Sequence, residues 1–206
     1  FETKIRVGGT KNVDFEKIRS LKPDLIIGNK EENTKEEIEI LEKEFSVYMS
    51  DVLTVDSAYK MMGDIGLLTG KSDETSTLIT EIKCDFDAMP KFQGDVLYFM
   101  WKNPYMVAGK ATFIGQMIDK LGFENLYADA DGRYKAISEE DILASEADYC
   151  LLSSEPFPFK QEDVHDFEKR FNKKAILVDG EMFSWYGSRM KLMKRYFEGI
   201  EKEFFA

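Results

Sequence analysis

The sequence predicts an α/β protein of two lobes with mostly parallel sheets, joined by a long backbone helix. Three observations lead to this fold class: β-rich apolar runs alternate with amphipathic stretches of helical period, one long segment contains no strand candidate, and the same helix-to-strand layout occurs on both sides of that segment. A chain of 206 residues is long enough for one large domain or for two small α/β lobes.

Strands are expected where short runs of β-branched and other apolar residues occur, and helices where apolar residues recur at helical spacing. The predicted strands are Ile5–Val7, Asp24–Ile27, Val47–Met49, Val96–Met100, Tyr149–Leu152 and Ala175–Val178. The predicted helices include Lys35–Lys43, Phe113–Leu121, Glu162–Phe171 and Met190–Phe204. Such alternation is typical of folds with largely parallel sheets.

The segment Ser57–Met89 is predicted to form two helices and no strand. The first helix ends at Leu68, before Thr69-Gly70, and the second begins at about Asp73 behind the capping residue Ser72. We therefore divide the chain into a partial N-terminal lobe over residues 1–56, a helical connector over 57–90 and a C-terminal lobe with the C-terminal helix over 91–206.

Two segments, 14–27 and 138–151, share one layout. Each contains a capping residue, an acid two places later, a short helix, and then an aspartate that precedes an apolar strand. The acid and the aspartate are eight residues apart in both, from Glu16 to Asp24 and from Glu140 to Asp148. Capped helices that lead into strands are common, so coincidence is the alternative explanation.

Composition excludes several classes of function. A net charge of −11 with no basic stripe disfavours nucleic-acid binding. The longest apolar runs are too short to cross a bilayer, and the first four residues do not resemble a signal peptide, so an export signal is not in this sequence.

Cysteine and histidine usage argues against a metal or catalytic centre. Cys84 and Cys150 match no metal or redox motif, and both are expected to be free thiols. The one histidine, His165, lies in a run of charges and is expected to be a solvated helix residue. Transport sites for bare zinc or manganese usually contain several histidines, so such a metal site is not expected. A Ser/His/Asp catalytic triad is not expected either, because it would depend on His165.

Several ordered motifs resemble a known family. The sequences VGGT (7–10), DFE (14–16) and LKPDLII (21–27) resemble the N-lobe signature of the periplasmic binding proteins for cobalamin and iron-siderophores, the class with a helical backbone between lobes. The sequences NPYMVAGK (103–110), GFENL (122–126) and ISEE (137–140) resemble the C-lobe signature of the cobalamin-binding members. The resemblance extends over nearly the whole chain.

The resemblance implies the substrate-binding component of an ABC importer. Such a protein captures a metal chelate (cobalamin, haem or a ferric siderophore) between two lobes and delivers it to a membrane permease dimer. It is not an enzyme and needs no cofactor. Its expected location is periplasmic or otherwise extracytoplasmic. The protein there is either free or attached to the membrane by a lipid anchor.

The chain departs from the family pattern in its N-terminal part. Family members begin with a strand, a helix and a second strand before the Val-Gly-Gly segment, and these elements are absent here, so the N-terminal lobe is expected to be truncated or reduced. An exposed sheet edge would then favour dimerisation or exchange of elements. In the cobalamin-binding protein an aromatic residue occupies the position of Thr10, which argues against cobalamin itself.

Candidate ligand contacts follow the predicted strand ends, because open α/β sheets bind ligands there and aromatic faces bury a large area at a small entropy cost. Trp101, Asn103 and Tyr105 follow one strand, and Trp185 and Tyr186 follow another. The alternative is that the tryptophans fill the lobe cores. Two further candidates are Tyr134, which aligns with a ring-stacking aromatic of the cobalamin-binding protein, and Arg133, whose guanidinium suits a carboxylate or catecholate. The alternative for Tyr134 is a surface residue in a glycine-containing loop.

The resemblance also assigns Glu16 and Glu140 to permease docking, one on each lobe, because both align with acids that family members present to transporter arginines. The alternative is that the helix dipole alone favours a carboxylate in a first turn. A rival function is a small transferase-like α/β enzyme that uses the same cleft, although the sequence shows no clear general base or metal site. A docking or scaffold module is a third hypothesis.

Overall fold

The computed structural model describes residues 3–127 and 132–205. By their internal contacts these residues form two compact units, Phe1–Val52 and Leu53–Ala206. The division into a lobe, a connector and a second lobe remains a prediction.

The first unit contains a small hairpin and a two-stranded parallel sheet. Its elements are β1 (Gly8–Gly9), β2 (Asn12–Val13), α1 (Phe15–Leu21), β3 (Ile26–Asn29), α2 (Lys35–Leu41) and β4 (Val47–Ser50). Strands β1 and β2 pair antiparallel, and β3 pairs with β4 in parallel. Ile18, Ile38 and Leu41 form its buried core.

The predicted strand Ile5–Val7 is wrong. The chain instead turns sharply at Gly8, whose φ is +103°, and the short hairpin follows. The carbonyl of Val7 accepts a 2.7 Å hydrogen bond from the backbone N–H of Asp14, so this segment closes the hairpin rather than joining the β3–β4 sheet. The left-handed φ of Gly8 is what allows the turn.

The second unit is a sheet covered by helices. Its elements are α3 (Val55–Leu68), α4 (Ser72–Asp87), β5 (Asp95–Trp101), β6 (Tyr105–Ala108), α5 (Phe113–Lys120), β7 (Glu124–Asn125), β8 (Tyr134–Ile137), α6 (Glu139–Ala144), β9 (Tyr149–Ser153), α7 (Gln161–Phe171), β10 (Ala175–Val178), α8 (Glu181–Ser184), a 3₁₀ helix (Gly187–Leu192) and α9 (Met193–Phe205).

The strand order is β10-β9-β5-β6-β8, with β7 beside the start of β5. Strands β10, β9, β5 and β7 run parallel, whereas β6 and β8 are antiparallel to their neighbours. The predicted α/β class is confirmed, and the sheet is mixed. The sequence did not predict β6 and β8, because β6 follows a tight turn and most of β8 is exposed and carries no apolar run.

Strand β5 lies at the centre of the sheet. Val96, Leu97, Tyr98 and Phe99 are all at most 1% exposed, so both faces of β5 are covered. A strand buried on both faces reads as a continuous apolar run rather than an alternating one. On one face the rings of Phe99, Phe167 and Phe171 form an aromatic cluster with Tyr105.

The predicted connector helices exist as α3 and α4, which pack against each other. A capping box between Thr54 and Ser57 starts α3, and Gly66 allows the close approach of Thr75. The predicted helix Met190–Phe204 is instead two elements, a 3₁₀ helix followed by α9. Within the described residues no helix combines the length and the apolar character needed to span a membrane.

Candidate ligand site at the strand ends of the second unit

The carboxyl ends of β5, β9 and β10 meet at one edge of the sheet. Phe99 lies opposite Leu152, and Ser153 lies opposite Val178, in parallel register. Adjacent strands are about 4.8 Å apart, so the segments that follow β5 and β10 begin roughly 10 Å from each other, with the end of β9 between them. This edge is where open α/β sheets bind their ligands.

Trp101 ends β5 and is 40% exposed. Phe99 faces Val107 and Trp101 faces Met106, so the register shifts by one residue between them. Such a β-bulge changes the direction of the side chains beyond it. The ring of Phe157 packs edge-on against Trp101 at a centroid distance of 5.8 Å, which supports the indole from the β9 side.

The turn after Trp101 is tied to α7. Lys102 Nζ lies 2.6 Å from a carboxylate oxygen of Asp163, and both side chains are partly buried. This hydrogen bond raises the pKa of Lys102. Burial alone would raise the pKa of Asp163, but the hydrogen bonds from Lys102 and from the Lys160 backbone outweigh it, and the pKa is lowered. Asn103 is the middle residue of the turn and lies in the left-handed region, with φ of +63°.

Tyr105 was predicted to lie in this turn, and that placement is wrong. It is the first residue of β6 and is only 8% exposed. Its ring contacts those of Phe99, Phe167 and Phe171. Burial raises the pKa of its hydroxyl. Because the antiparallel strand begins immediately after a three-residue turn, Tyr105 is directed into the aromatic cluster.

Trp185 follows α8 and is half exposed, with 50% of its surface accessible. Its indole Nε1 donates a 2.6 Å hydrogen bond to Glu155, which follows β9. Arg189 lies over the same ring, 5.8 Å from its centroid, and forms an ion pair with Glu181. The hypothesis that the two tryptophans fill the lobe cores is therefore wrong, since both are at least 40% exposed.

Tyr186 directly follows Trp185 in the chain, whereas Arg133 and Tyr134 lie at the start of β8. Tyr186 packs edge-on against Phe113, the first residue of α5, at 5.5 Å. Tyr134 begins β8 and pairs with Ala108, whereas Ile137 pairs with Tyr105. Three residues of a strand span roughly 10 Å, so Arg133 and Tyr134 are displaced along β8 from the level of Tyr105. The described structure does not gather all seven candidates around one point.

Glu155 is a site residue outside the seven ligand-contact candidates, although it lies in the segment Ser153–Phe159, which follows a predicted strand and is a candidate for a further wall of the cleft. Its carboxylate accepts hydrogen bonds from Trp185 Nε1 and, at 3.0 Å, from Ser184 Oγ. The available signal was its position, two residues after β9, where open α/β sheets bind ligands.

The two predicted docking acids hold equivalent positions in their own helices. Asp14 and Ser138 are N-caps whose side chains accept backbone hydrogen bonds, and Glu16 and Glu140 are the second residues of α1 and α6. Both glutamates are exposed. Glu16 pairs with Arg19 at 2.7 Å, and Arg19 also binds Glu44.

The described residues contain no group of three or more His, Cys, Asp and Glu side chains arranged to hold a metal ion. His165 is exposed on α7, with Nδ1 2.7 Å from the carbonyl of Gln161. Cys84 is exposed, Cys150 is buried in β9, and both are free. Burial raises the pKa of the Cys150 thiol to about 12.

The sequence model of a family described as periplasmic binding protein matches residues 2–176. The chain is 23% identical over 199 residues to the vitamin B12-binding protein of Pectobacterium carotovorum. That alignment covers 91% of this chain and 70% of the relative. It also resembles a solved structure of a possible iron-binding, periplasmic solute-binding protein from Staphylococcus epidermidis, with a TM-score of 0.74, 22% identity and coverage of 96% and 82% of the two chains. A periplasmic heme-binding protein from Roseiflexus has a TM-score of 0.76 and 18% identity, with coverage of 99% and 84%.

Proposed function

Because this chain belongs to the periplasmic binding protein family, we propose that it captures a metal chelate (a corrinoid, a haem or a ferric siderophore) and delivers it to the permease dimer of an ABC importer. The matched relatives named above are described as binding vitamin B12, iron or heme, which supports this ligand class. The family is one of binding proteins, so the transferase-like alternative has no support.

The observation that carries the proposal is the placement of Trp101 and Trp185. Both are large flat side chains and both are at least 40% exposed. Trp101 is the last residue of β5, and Trp185 follows α8, the helix after β10; β5 and β10 flank β9. A flat chelate needs apolar contact over a wide area with a few polar contacts at its rim. Asn103 and Tyr186 complete the proposed contacts at this edge, Arg133 and Tyr134 are proposed contacts further along β8, and the buried Tyr105 supports the turn from inside.

The test is a fluorescence titration of the full chain with cyanocobalamin, hemin and a neutral ferric trihydroxamate. We expect at least one of these to quench tryptophan emission saturably, because the two tryptophans lie at the proposed site. N-acetyltryptophanamide corrects for light absorbed by the ligand, and Trp101→Phe and Trp185→Phe assign the signal. If all three leave the emission of the folded protein unchanged, this site assignment is wrong.

Family membership implies an extracytoplasmic location. The proposal extends to a lipid anchor, which mass spectrometry of the protein extracted from membranes would reveal. We also propose that the protein dimerises or exchanges elements through the first unit. Among the described strands β3 has β4 as its one neighbour, and Ile27 on β3 is 48% exposed. Sedimentation that shows only monomer at tens of micromolar would contradict that extension.

A further inference from the structure

Trp185 is held at its edge and on one of its faces. The indole N–H, the only polar group of the side chain, donates to Glu155 Oε1 at 2.6 Å. The guanidinium of Arg189 occupies one face of the ring at 5.8 Å. Trp185 nevertheless remains 50% exposed, so these two contacts leave much of the residue uncovered.

The group that fixes the indole is itself anchored to the sheet. Ser153 Oγ lies 2.5 Å from the carbonyl oxygen of Glu155 and 3.3 Å from its backbone nitrogen. Ser153 is fully buried and also accepts from the hydroxyl of Tyr98 on β5. Ser184 Oγ lies 3.0 Å from the same carboxylate oxygen and 2.8 Å from the carbonyl of Gly180, and its proton is shared between these two acceptors. Glu155 is therefore attached to β9 through its backbone and to α8 through its side chain.

The charges around Trp185 do not cancel. Glu155 is bound by two neutral donors, the Ser184 hydroxyl and the indole N–H, so its negative charge remains. The positive charge of Arg189 is matched by Glu181. An anionic group of a ligand brought beside Glu155 would meet a like charge, which disfavours it.

We propose that Glu155 is a positioning residue that holds Trp185 with one open face, and that this face stacks a flat ligand with no negative charge near Glu155. The inference rests on the proposed function and narrows its ligand class. A neutral macrocycle with amide side chains fits this description, whereas a macrocycle that places its carboxylates beside Glu155 does not. The hydrogen bond fixes the ring before the ligand arrives, so less ordering is needed on binding.

The first test needs no ligand. In a Trp101→Phe background, Trp185 is the one remaining tryptophan. Glu155→Gln keeps the acceptor oxygen and should leave the emission anisotropy and the acrylamide quenching unchanged, whereas Glu155→Leu should lower the anisotropy and increase the quenching about twofold. Glu162→Leu, at an exposed acid on α7, is the matched control. Leu and Gln variants that both behave like the parent would overturn the positioning role.

The second test separates the acceptor from the charge. Glu155→Gln should keep the affinity for cyanocobalamin within about twofold and raise that for hemin, because the acceptor remains and the charge is gone. Glu155→Leu should lower the affinity for cyanocobalamin about tenfold, because one charged hydrogen bond is lost. Equal losses in both variants would overturn the proposal. If neither probe nor the trihydroxamate binds any variant but the emission results hold, the ligand assignment fails and the fixing of Trp185 by Glu155 stands.

Discussion

The hydroxyl of Tyr98 donates a 2.9 Å hydrogen bond to Oγ of Ser153 in the buried centre of the sheet. The two residues lie on neighbouring parallel strands, β5 and β9, and are 1% and 0% exposed. Their contact therefore joins the strand that ends at Trp101 to the strand that is followed by Glu155. Burial raises the pKa of Tyr98, so the hydroxyl remains a donor.

Substitution of Ser153 should lower the free energy of unfolding more than substitution of Tyr98. Ser153→Ala leaves the Tyr98 hydroxyl as a buried donor without its acceptor, which costs about 1–3 kcal/mol of unfolding free energy. Tyr98→Phe leaves Ser153 still bonded to the Glu155 backbone, so we expect about 0.5–1.5 kcal/mol. Urea denaturation measures both values. A larger loss for Tyr98→Phe would contradict this account.

Gly180→Ala should destabilise the protein and displace Glu155. A Cβ at this position would lie 2.5 Å from Cγ of Glu155 and 3.1 Å from its backbone nitrogen, and it would also collide with Ser153. Overpacking of this kind costs about 1–3 kcal/mol. Gly199→Ala is the control, because nothing lies within 4 Å of its Cβ and α9 should gain from alanine. Equal melting temperatures for the two variants would refute the close approach.

Phe204→Ala should be among the most costly substitutions in the second unit. The Phe204 ring packs at 4.7 Å from Phe92, 5.1 Å from Phe123 and 5.3 Å from Tyr149. Truncation of a buried phenylalanine costs about 3–5 kcal/mol. Leu67→Ala, at a side chain that is 75% exposed, should change stability by no more than about 0.5 kcal/mol. A small effect of Phe204→Ala would mean that α9 does not contribute to the core.

Stability should fall in alkali. Burial raises the pKa of Cys150 from 9.0 to about 12, and burial also raises that of Tyr196 from 10.0 to about 12 despite the hydrogen bond from the Asp179 backbone. Above pH 9 the unfolded chain loses protons that the folded chain keeps, so the free energy of unfolding decreases as the pH rises towards 12.

Each such group lowers that free energy by at most about 1.4 kcal/mol per pH unit. Denaturation at pH 8, 9, 10 and 11 measures the slope. Cys150→Ala should flatten the part between pH 9 and 10, whereas Cys84→Ala, at an exposed thiol, should not. An unchanged slope in Cys150→Ala would contradict the assignment.

Glu16 and Glu140 are proposed to bind arginines of the permease. A charge-assisted contact of this kind is worth about 1.5–3 kcal/mol, so Glu16→Ala with Glu140→Ala should slow uptake at least tenfold and leave ligand affinity unchanged. Glu36→Ala and Glu162→Ala are matched controls, because these exposed acids are also the second residues of their helices.

Uptake in vesicles and ligand titration in solution measure the two effects separately. Normal transport by the double variant would make these acids helix-stabilising residues and no more. An equal loss of transport in the two controls would point to the helix dipole instead of docking. A loss of ligand binding would place the acids in the fold or the site.

Local sequence patterns predicted many of the helices and strands. Helical period and capping residues located α3, α4, α5 and α7 to within a few residues, and continuous apolar runs located β5, β9 and β10, because their residues are buried on both sides. The repeated layout predicted that Glu16 and Glu140 follow N-caps at the same distance, and the capped helices α1 and α6 agree with it.

What the sequence determined by itself is local: which segments form helices and strands, where caps lie, and which aromatic residues follow strand ends. Tertiary structure decided which of these residues meet. The antiparallel pairing of β6 buried Tyr105, the register of β8 displaced Tyr134, and the adjacency of β9 and β10 joined Glu155 to Trp185. Strand order and register depend on contacts between residues far apart in the chain, and no local pattern of residue types encodes these partners.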